Sequence, residues 1–290
     1  MTNTIRRIGN VMREGYGMVY VVATPIGNLH DVSERAISVL ANVDIIACED
    51  TRRCRKLLTA FNIQATNLIS LHDHNEEKMT ARVIDLIGEG NDVALVSDAG
   101  TPLICDPGFD LIRALWKQNL RVVPIPGPSA ITTILSVAPI PTHDFRFVGF
   151  IPARVGARKA RLKQLLIDGS PILFFETARR LSSTLEALCQ LEANERQIIV
   201  ARELTKIHES LYFGSVEDVR NEIAMKDRVR GEIVCFLGGA AKAVATNVDS
   251  MLQILLAELA PTQAARLAAK ITGETRARAY SRALVLANEG

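Results

Sequence analysis

The stretch that most constrains this chain is Asp92 to Gly108, DVALVSDAGTPLICDPG. Asp92 to Val96 is a short run rich in Val and Leu, the pattern of a strand buried on both faces in a parallel sheet. It stops abruptly at Ser97-Asp98-Ala99-Gly100-Thr101-Pro102, and a helix-like segment resumes near Phe109. A strand that ends in small residues, a carboxylate and a glycine suits the ligand crevice beyond the carboxyl ends of an α/β sheet. Gly100 and Ala99 let a ligand approach the backbone, and Asp98 can accept hydrogen bonds from hydroxyl or amide groups.

The same strand-then-loop unit recurs along the first half. Met18 to Ala23 reads as a strand entering Thr24-Pro25-Ile26-Gly27-Asn28-Leu29, after which Asp31-x-x-Glu34 resembles a capping box opening a helix through Leu40. Val43 to Cys48 runs into Glu49-Asp50-Thr51-Arg52 and a basic helix through Phe61. Leu68 to Leu71 leads into His72-Asp73-His74-Asn75-Glu76 and a helix to Ile87, and Leu120 to Val123 meets Pro124-Ile125-Pro126-Gly127-Pro128-Ser129. Strands alternating with helices imply right-handed crossovers and a parallel sheet, so these loops should gather at one sheet edge.

Pro139-Ile140-Pro141 breaks the pattern. We therefore expect a mobile extension over 1–17, a ligand-binding α/β domain over 18–140, a second α/β domain with a mixed sheet over 144–240, and a helical extension over 250–290. In the second domain, strands are expected at Phe145 to Phe150, Ile172 to Glu176, Gln197 to Ala201 and Glu232 to Leu237. A helix is expected from Leu181 to Cys189, and Ser215-x-x-Asp218 should cap another through Met225. Gly238 to Ser250 is small and linker-like. In the tail, Pro261 can start a helix, Gly273 can break it, and five cations face two carboxylates between 261 and 290. Such a unit can be helix-turn-helix-like and touch RNA, or pack on the body or on a partner subunit.

Composition excludes some classes. With 48% hydrophobic and 23% charged residues, the chain is globular rather than disordered. Five scattered cysteines without a Cys-x-x-Cys pair or a signal peptide fit a reduced cytoplasmic protein, and Cys48 and Cys105 read as small buried hydrophobes. No apolar run approaches the ~20 residues that span a membrane. His72 and His74 alone do not make a metal site, and neither a Gly-x-Gly-x-x-Gly fingerprint nor a P-loop is present.

VVATPIGNLHDVSERA, ACEDTR, LHDHNE, VALVSDAGTPLICDPG, VVPIPGPSA, ARELTK and RGEIV occur in this order from Val21 to Val234. Together they resemble the ribosomal small-subunit methyltransferase I family of the tetrapyrrole-methylase superfamily, and the basic tail resembles that family's C-terminal extension. The resemblance implies a two-domain class III methyltransferase fold, a homodimer, and S-adenosylmethionine held between the domains. It also implies methylation of a cytidine ribose 2′-hydroxyl in small-subunit ribosomal RNA. The chain departs from the family pattern at Thr177-Ala178-Arg179, where Ser-Pro-His is common, and at Arg53-Cys54, where His-Thr is common.

By that resemblance the cofactor is assigned to Pro25, Ile26 and Gly27, to Asp98, Ala99, Gly100 and Thr101, to Ser129 and Ala130, and to Gly231 and Glu232 of the second domain. Pro126-Gly127-Pro128-Ser129 can equally be a rigid turn. Proton handling falls to Lys206, Glu203 and Glu49, although Glu49 or Asp50 can instead cap the helix near Thr51. His74 can serve as a base, a phosphate contact or a helix cap. Arg52, Arg53, Arg55 and Lys56 form one basic cluster, and Arg154, Arg158, Lys159, Arg161 and Lys163 a second. Of these we assign Arg52, Arg55, Lys56, His74, Arg158, Lys159 and Arg161 to RNA; such clusters also occur as plain solvated faces. No metal is expected. The competing readings are a tetrapyrrole methylase and a catalytically silent RNA-binding assembly factor.

Overall fold

The computed structural model describes residues 15–64, 67–226, 230–240 and 248–289. Its first sheet holds β1 (Val19–Val22), β2 (Ile45–Cys48), β3 (Leu68–Ser70), β4 (Val93–Val96) and β5 (Val122–Ile125), in the order β3-β2-β4-β1-β5. Every neighbouring pair is parallel. Helices α1 (Glu34–Asn42), α2 (Thr51–Ala60), α3 (Glu76–Gly88), α4 (Phe109–Lys117) and α5 (Ala130–Val137) follow the five strands. β2 and β4 are buried at all four positions, as the continuous apolar runs require. One face packs Val19, Ile45, Val93 and Leu95 with Leu111 and Leu115 of α4, and the other packs Val22, Ile46 and Val96 with Leu40 and Leu58.

The second sheet is mixed, in the order β6-β7-β10-β8-β9. Its strands are β6 (Arg146–Phe150), β7 (Ile172–Thr177), β8 (Gln197–Arg202), β9 (Ser210–Ser215) and β10 (Glu232–Leu237). Only β6 with β7 is parallel. Alternation divides its two faces. Phe174, Val200 and Cys235 point to α6 (Val155–Leu166), α7 (Ala178–Cys189) and α8 (Val216–Ala224). Leu173, Phe175, Ile199, Val234 and Phe236 point the other way, onto Ile131, Ile134 and Leu135 of α5 and onto Ile26. α5 thus ends the first domain in sequence while its apolar side completes the second domain's core, which fixes one sheet against the other.

Several expectations need correction. Ser33, not Asp31, caps α1, its Oγ accepting from the Ala36 N–H at 3.1 Å; Asp31 is consumed by a 3-10 turn over Leu29–Asp31. β5 begins two residues later than expected, because Leu120 closes the α4 turn and is buried there; Pro124 is tolerated because β5 is an edge strand. Neither α5 nor β9 was anticipated. Of the extension expected to be mobile, residues 1–14 lie outside the described residues. Gly17 is docked, donating to the Ile87 carbonyl at 2.9 Å and lying so close to Asn91 that a Cβ would strike its carbonyl. Of the expected linker, 241–247 lie outside the described residues.

The tail forms three helices, α9 (Val248–Leu256), α10 (Pro261–Thr272) and α11 (Arg276–Glu289), around Leu252 and a set of buried alanines that includes Ala264, Ala268, Ala279 and Ala283. Gly273 ends α10 with φ 74°, the left-handed cap its position suggested. Among the described residues no helix is long and apolar enough to cross a membrane.

Glu76 starts α3 and also organises α4: its Oε1 accepts from the N–H groups of Gly108 (3.1 Å), Asp110 (2.7 Å) and Leu111 (3.4 Å). Three donors of a helix start are thereby satisfied by one carboxylate, which the α4 dipole also favours. Glu76→Ala is expected to lower stability by about 1–2 kcal/mol in urea denaturation. A midpoint unchanged from wild type would remove Glu76 as the α4 cap.

Candidate active site

The carboxyl ends of β1, β2, β4 and β5 do meet, and the second sheet closes over them. Between the domains lies a cavity of about 400 Å³, within the range of small-molecule sites. From the first domain its walls include Ile26, Glu49, Asp98, Ala99, Thr101, Asp106 and Ser129. Phe175, Glu176, Leu204, Glu232 and Val234 face them from the second.

The first-domain loops are tied to one another by backbone bonds. Thr24 and Gly100 exchange both N–H···O bonds, at 2.9 and 3.0 Å, which joins the loop after β1 to the loop after β4. The Thr101 hydroxyl donates to the Pro128 carbonyl at 3.1 Å, so the Pro126–Ser129 turn is held as well. Gly100 has φ 84°, a conformation that disfavours a side chain, and its bare Cα faces Ile26 and Pro128. Asp98 accepts from the Asp50 N–H at 3.2 Å and pairs with Arg53 at 3.0 Å. Asp50 caps α2, accepting from Arg52 at 2.8 Å, and Glu49 is left to face the cavity.

From the second domain comes the Glu203–Lys206 turn, with Glu203 at φ 51° and Thr205 at φ 64°. Lys206 Nζ donates to Glu203 Oε1 (2.9 Å) and Glu232 Oε2 (3.0 Å), and the Glu232 N–H donates to Glu203 Oε1 at 2.8 Å. Burial pushes the Glu203 carboxyl up, but the Glu232 N–H and the Lys206 ammonium outweigh it and hold the carboxyl below its usual range. Desolvation works against the Lys206 charge, yet its two carboxylate partners raise its pKa above the ordinary value. The two residues assigned to the catalytic site from the second domain are thus joined to each other as an ion pair. This turn touches the first domain where the Asn28 N–H donates to Thr205 Oγ1 at 3.1 Å.

Of the assigned cofactor residues, Ile26, Asp98, Ala99, Thr101, Ser129, Ala130, Gly231 and Glu232 line the cavity. Pro25, Gly27 and Gly100 are not on its wall; Gly27 and Gly100 set how closely the loops approach one another. Arg52, Arg55, Lys56, His74, Lys159 and Arg161 are exposed. Arg158 is not: it is 4% exposed, its guanidinium donating to the Pro152 and Ala153 carbonyls at 3.3 and 2.9 Å, and it leaves the RNA set as a loop anchor. Cys105, expected to be buried, is exposed on the cavity rim, while Cys48 is buried as expected. Among the described residues no three His, Cys, Asp or Glu side chains are grouped to hold a metal ion.

Sequence reasoning missed two carboxylates. Glu176 is buried, accepting from the Thr177 N–H (2.8 Å), Arg180 Nε (2.7 Å) and the Thr184 hydroxyl (2.6 Å). Asp106 sits in the quoted CDPG string, whose Pro-Gly suggested only a turn. Burial raises its pKa to about 6, with Glu49, Asp98 and Asp73 adding to the rise and a Ser97 hydrogen bond opposing it. Glu49 is also raised, by burial first and then by Asp98 and Asp73.

Comparison with known proteins agrees with this architecture. The tetrapyrrole (corrin/porphyrin) methylase family matches residues 18–220, and the RsmI C-terminal HTH domain matches residues 242–287. Solved structures with this fold include the methyltransferase CobJ (TM-score 0.58, 19% identity, 78% of this chain and 95% of that one). A second is uroporphyrin-III C-methyltransferase from Thermus thermophilus complexed with S-adenosyl homocysteine (TM-score 0.54, 16% identity, 77% and 97%). Proteins named ribosomal RNA small subunit methyltransferase I are much nearer. The one from Xylella fastidiosa is 42% identical across 91% of this chain and 98% of its own length. The one from Neisseria meningitidis is 41% identical across 94% and 95%. With the two-sheet fold, the interdomain cavity and relatives matched over more than nine-tenths of both chains, the chain belongs to the ribosomal RNA small subunit methyltransferase I family of the tetrapyrrole methylases.

Proposed function

We propose that this protein methylates the 2′-hydroxyl of a cytidine in small-subunit ribosomal RNA, using S-adenosylmethionine, in the cytoplasm and as a homodimer. The observation that carries the reading is the 41–42% identity, over more than nine-tenths of the chain, to proteins named for that RNA subunit. The cavity fits the donor: Glu49, Asp98 and Glu232 on its wall favour a cationic sulfur, and Ala99 and Ala130 leave room for a nucleoside. When bound, S-adenosylmethionine supplies an electrophilic methyl group.

The chain's own residues then do the positioning. The loops around Ile26, Asp98 and Ser129 fix one side of the ligand and the Gly231–Glu232 edge fixes the other. Such alignment contributes roughly 7–11 kcal/mol in favourable cases. The apolar wall of Phe175, Leu204 and Val234 excludes water from the methyl path. Outside the cavity, exposed Arg52, Arg55, Lys56, Lys159 and Arg161 supply cations for phosphates and exposed His74 a ring hydrogen-bonding group, so RNA binding should weaken steeply with salt.

The deciding assay incubates the protein with isotopically labelled donor and undermethylated small subunits, then digests the RNA to nucleosides. Label in 2′-O-methylcytidine is the expected result. Label on a nucleobase would overturn the 2′-hydroxyl assignment; label only in an added tetrapyrrole, or none at all, would overturn the RNA-methylation reading.

A further inference from the structure

We propose that Asp106 is the general base, taking the proton of the ribose hydroxyl as its oxygen accepts the methyl group. The inference rests on the methyl-transfer function proposed above. Most carboxylates on and beside the cavity are already engaged. Asp98 is committed to Arg53 and to the Asp50 N–H, Glu203 to Lys206 and the Glu232 N–H, and Glu232 to Lys206 while 74% exposed. Glu176 is closed in by Arg180, Thr184 and the Thr177 N–H. Among the described residues, no ion pair shorter than 4 Å reaches Glu49 or Asp106.

The backbone singles out Asp106 of these two. Its loop holds Leu103 at φ 71° and Cys105 at φ 67°, left-handed conformations that are uncommon for side chains of this size. Such strain persists only where the surroundings impose it. Thr101 is bonded to Pro128 at one end of the loop, and Glu76 collects the Gly108 N–H at the other. From the second domain Gly149 presses so close that a Cβ there would lie 3.1 Å from Cys105 Sγ. The strained loop is clamped on three sides, and it presents a half-buried carboxylate to the cavity.

The chemistry balances without a further reagent. Asp106 accepts the hydroxyl proton, the oxygen–methyl bond forms, and the sulfur–methyl bond breaks with its electron pair left on sulfur; the proton then passes to water. The groups acting on Asp106 are Ser97 and Asp98 after β4, Glu49 after β2 and Asp73 after β3; Arg53 of α2 shares the cavity wall but is bound to Asp98. Glu176, paired with Arg180, and Glu232, paired with Lys206, line the cavity from the second domain. A carboxyl with a pKa of about 6 is ionised at neutral pH yet far more basic than an ordinary aspartate. Below about pH 6 it is protonated, and the rate should fall tenfold per pH unit.

Asp106→Asn separates the outcomes. Single-turnover transfer to undermethylated subunits should slow about 10²–10⁴-fold, donor Kd by calorimetry should stay within about threefold, and the acid limb near pH 6 should vanish. In ligand-free enzyme carrying ¹³C-labelled aspartate, one carboxyl resonance should titrate near 6 and disappear in the variant. A variant within about threefold of wild type, a limb that persists, a donor Kd weakened as much as the rate, or an Asp106 resonance titrating near 4 would each overturn the assignment. Wild-type protein that labels no RNA would bring down the functional reading; label from wild type and from Asp106→Asn alike brings down only this one.

Discussion

Gly27→Ala slows methyl transfer by about 10²-fold and weakens donor binding, with little change in secondary structure. The expectation comes from where the two domains touch. A Cβ on Gly27 would run into Lys206 Cγ and sit 2.8 Å from Thr205 Oγ1 and 2.9 Å from the Leu204 carbonyl oxygen. That carbonyl cannot rotate away, because Glu203 and Thr205 on either side of it are already left-handed and bonded to Glu232 and Glu209. The loops must therefore part, breaking the Asn28–Thr205 bond and widening the cavity between Ile26 and Leu204. A displacement of about 1 Å in a methyl-transfer site is enough for a hundredfold loss. Gly156→Ala is the control, since nothing lies within 4 Å of its would-be Cβ. Kinetics and calorimetry on both variants decide the matter; a Gly27→Ala enzyme with wild-type kcat and donor Kd would show that the domain contact does not set the site.

How much of this was legible in the sequence varies with the physics of each part. The first sheet was readable because runs such as VALV are buried on both faces and need no partner information to be recognised. The convergence of the PIGN, SDAGT and PGPS loops followed from parallel connection alone. What sequence could not convey was commitment. Lys206 and Glu203 stood out as polar residues of one short string, but their mutual bonds, and those to Glu232, depend on β8 pairing with β10 and could not be read there. Arg158 stood in a basic run but turns inward on α6, because a helix places one residue in every three or four on its buried side. Asp106 was hidden in a string that reads as a turn. Its distinguishing properties, partial burial and the proximity of Glu49 and Asp98, come from strands far apart in the chain. α5 was missed because its apolar side is explained only by the second domain's sheet, whose strands follow it in the chain and reach as far as β10.

Arg180→Ala should be the most destabilising of the substitutions considered, by about 3–5 kcal/mol. The Glu176 side chain is wholly buried, at the end of β7 where the cavity meets the second domain's core. Arg180 reaches it from the first turn of α7 with an N···O distance of 2.7 Å, while being 22% exposed itself. Removing the guanidinium leaves a buried carboxylate with only the Thr184 hydroxyl and the Thr177 N–H to stabilise it. That uncompensated charge, rather than the lost attraction, sets the magnitude. Glu176→Gln should cost less, because the amide keeps an oxygen for one donor and carries no charge. In the double variant Glu176→Gln with Arg180→Ala, the second change should add little to the first, giving a large coupling energy in a double-mutant cycle. Urea denaturation of the four proteins supplies the test. An Arg180→Ala loss below about 1 kcal/mol, or strictly additive changes, would mean that the pair is screened like an ordinary surface bridge. The second domain's wall of the cavity would then owe its position to the β7–β10 ladder alone.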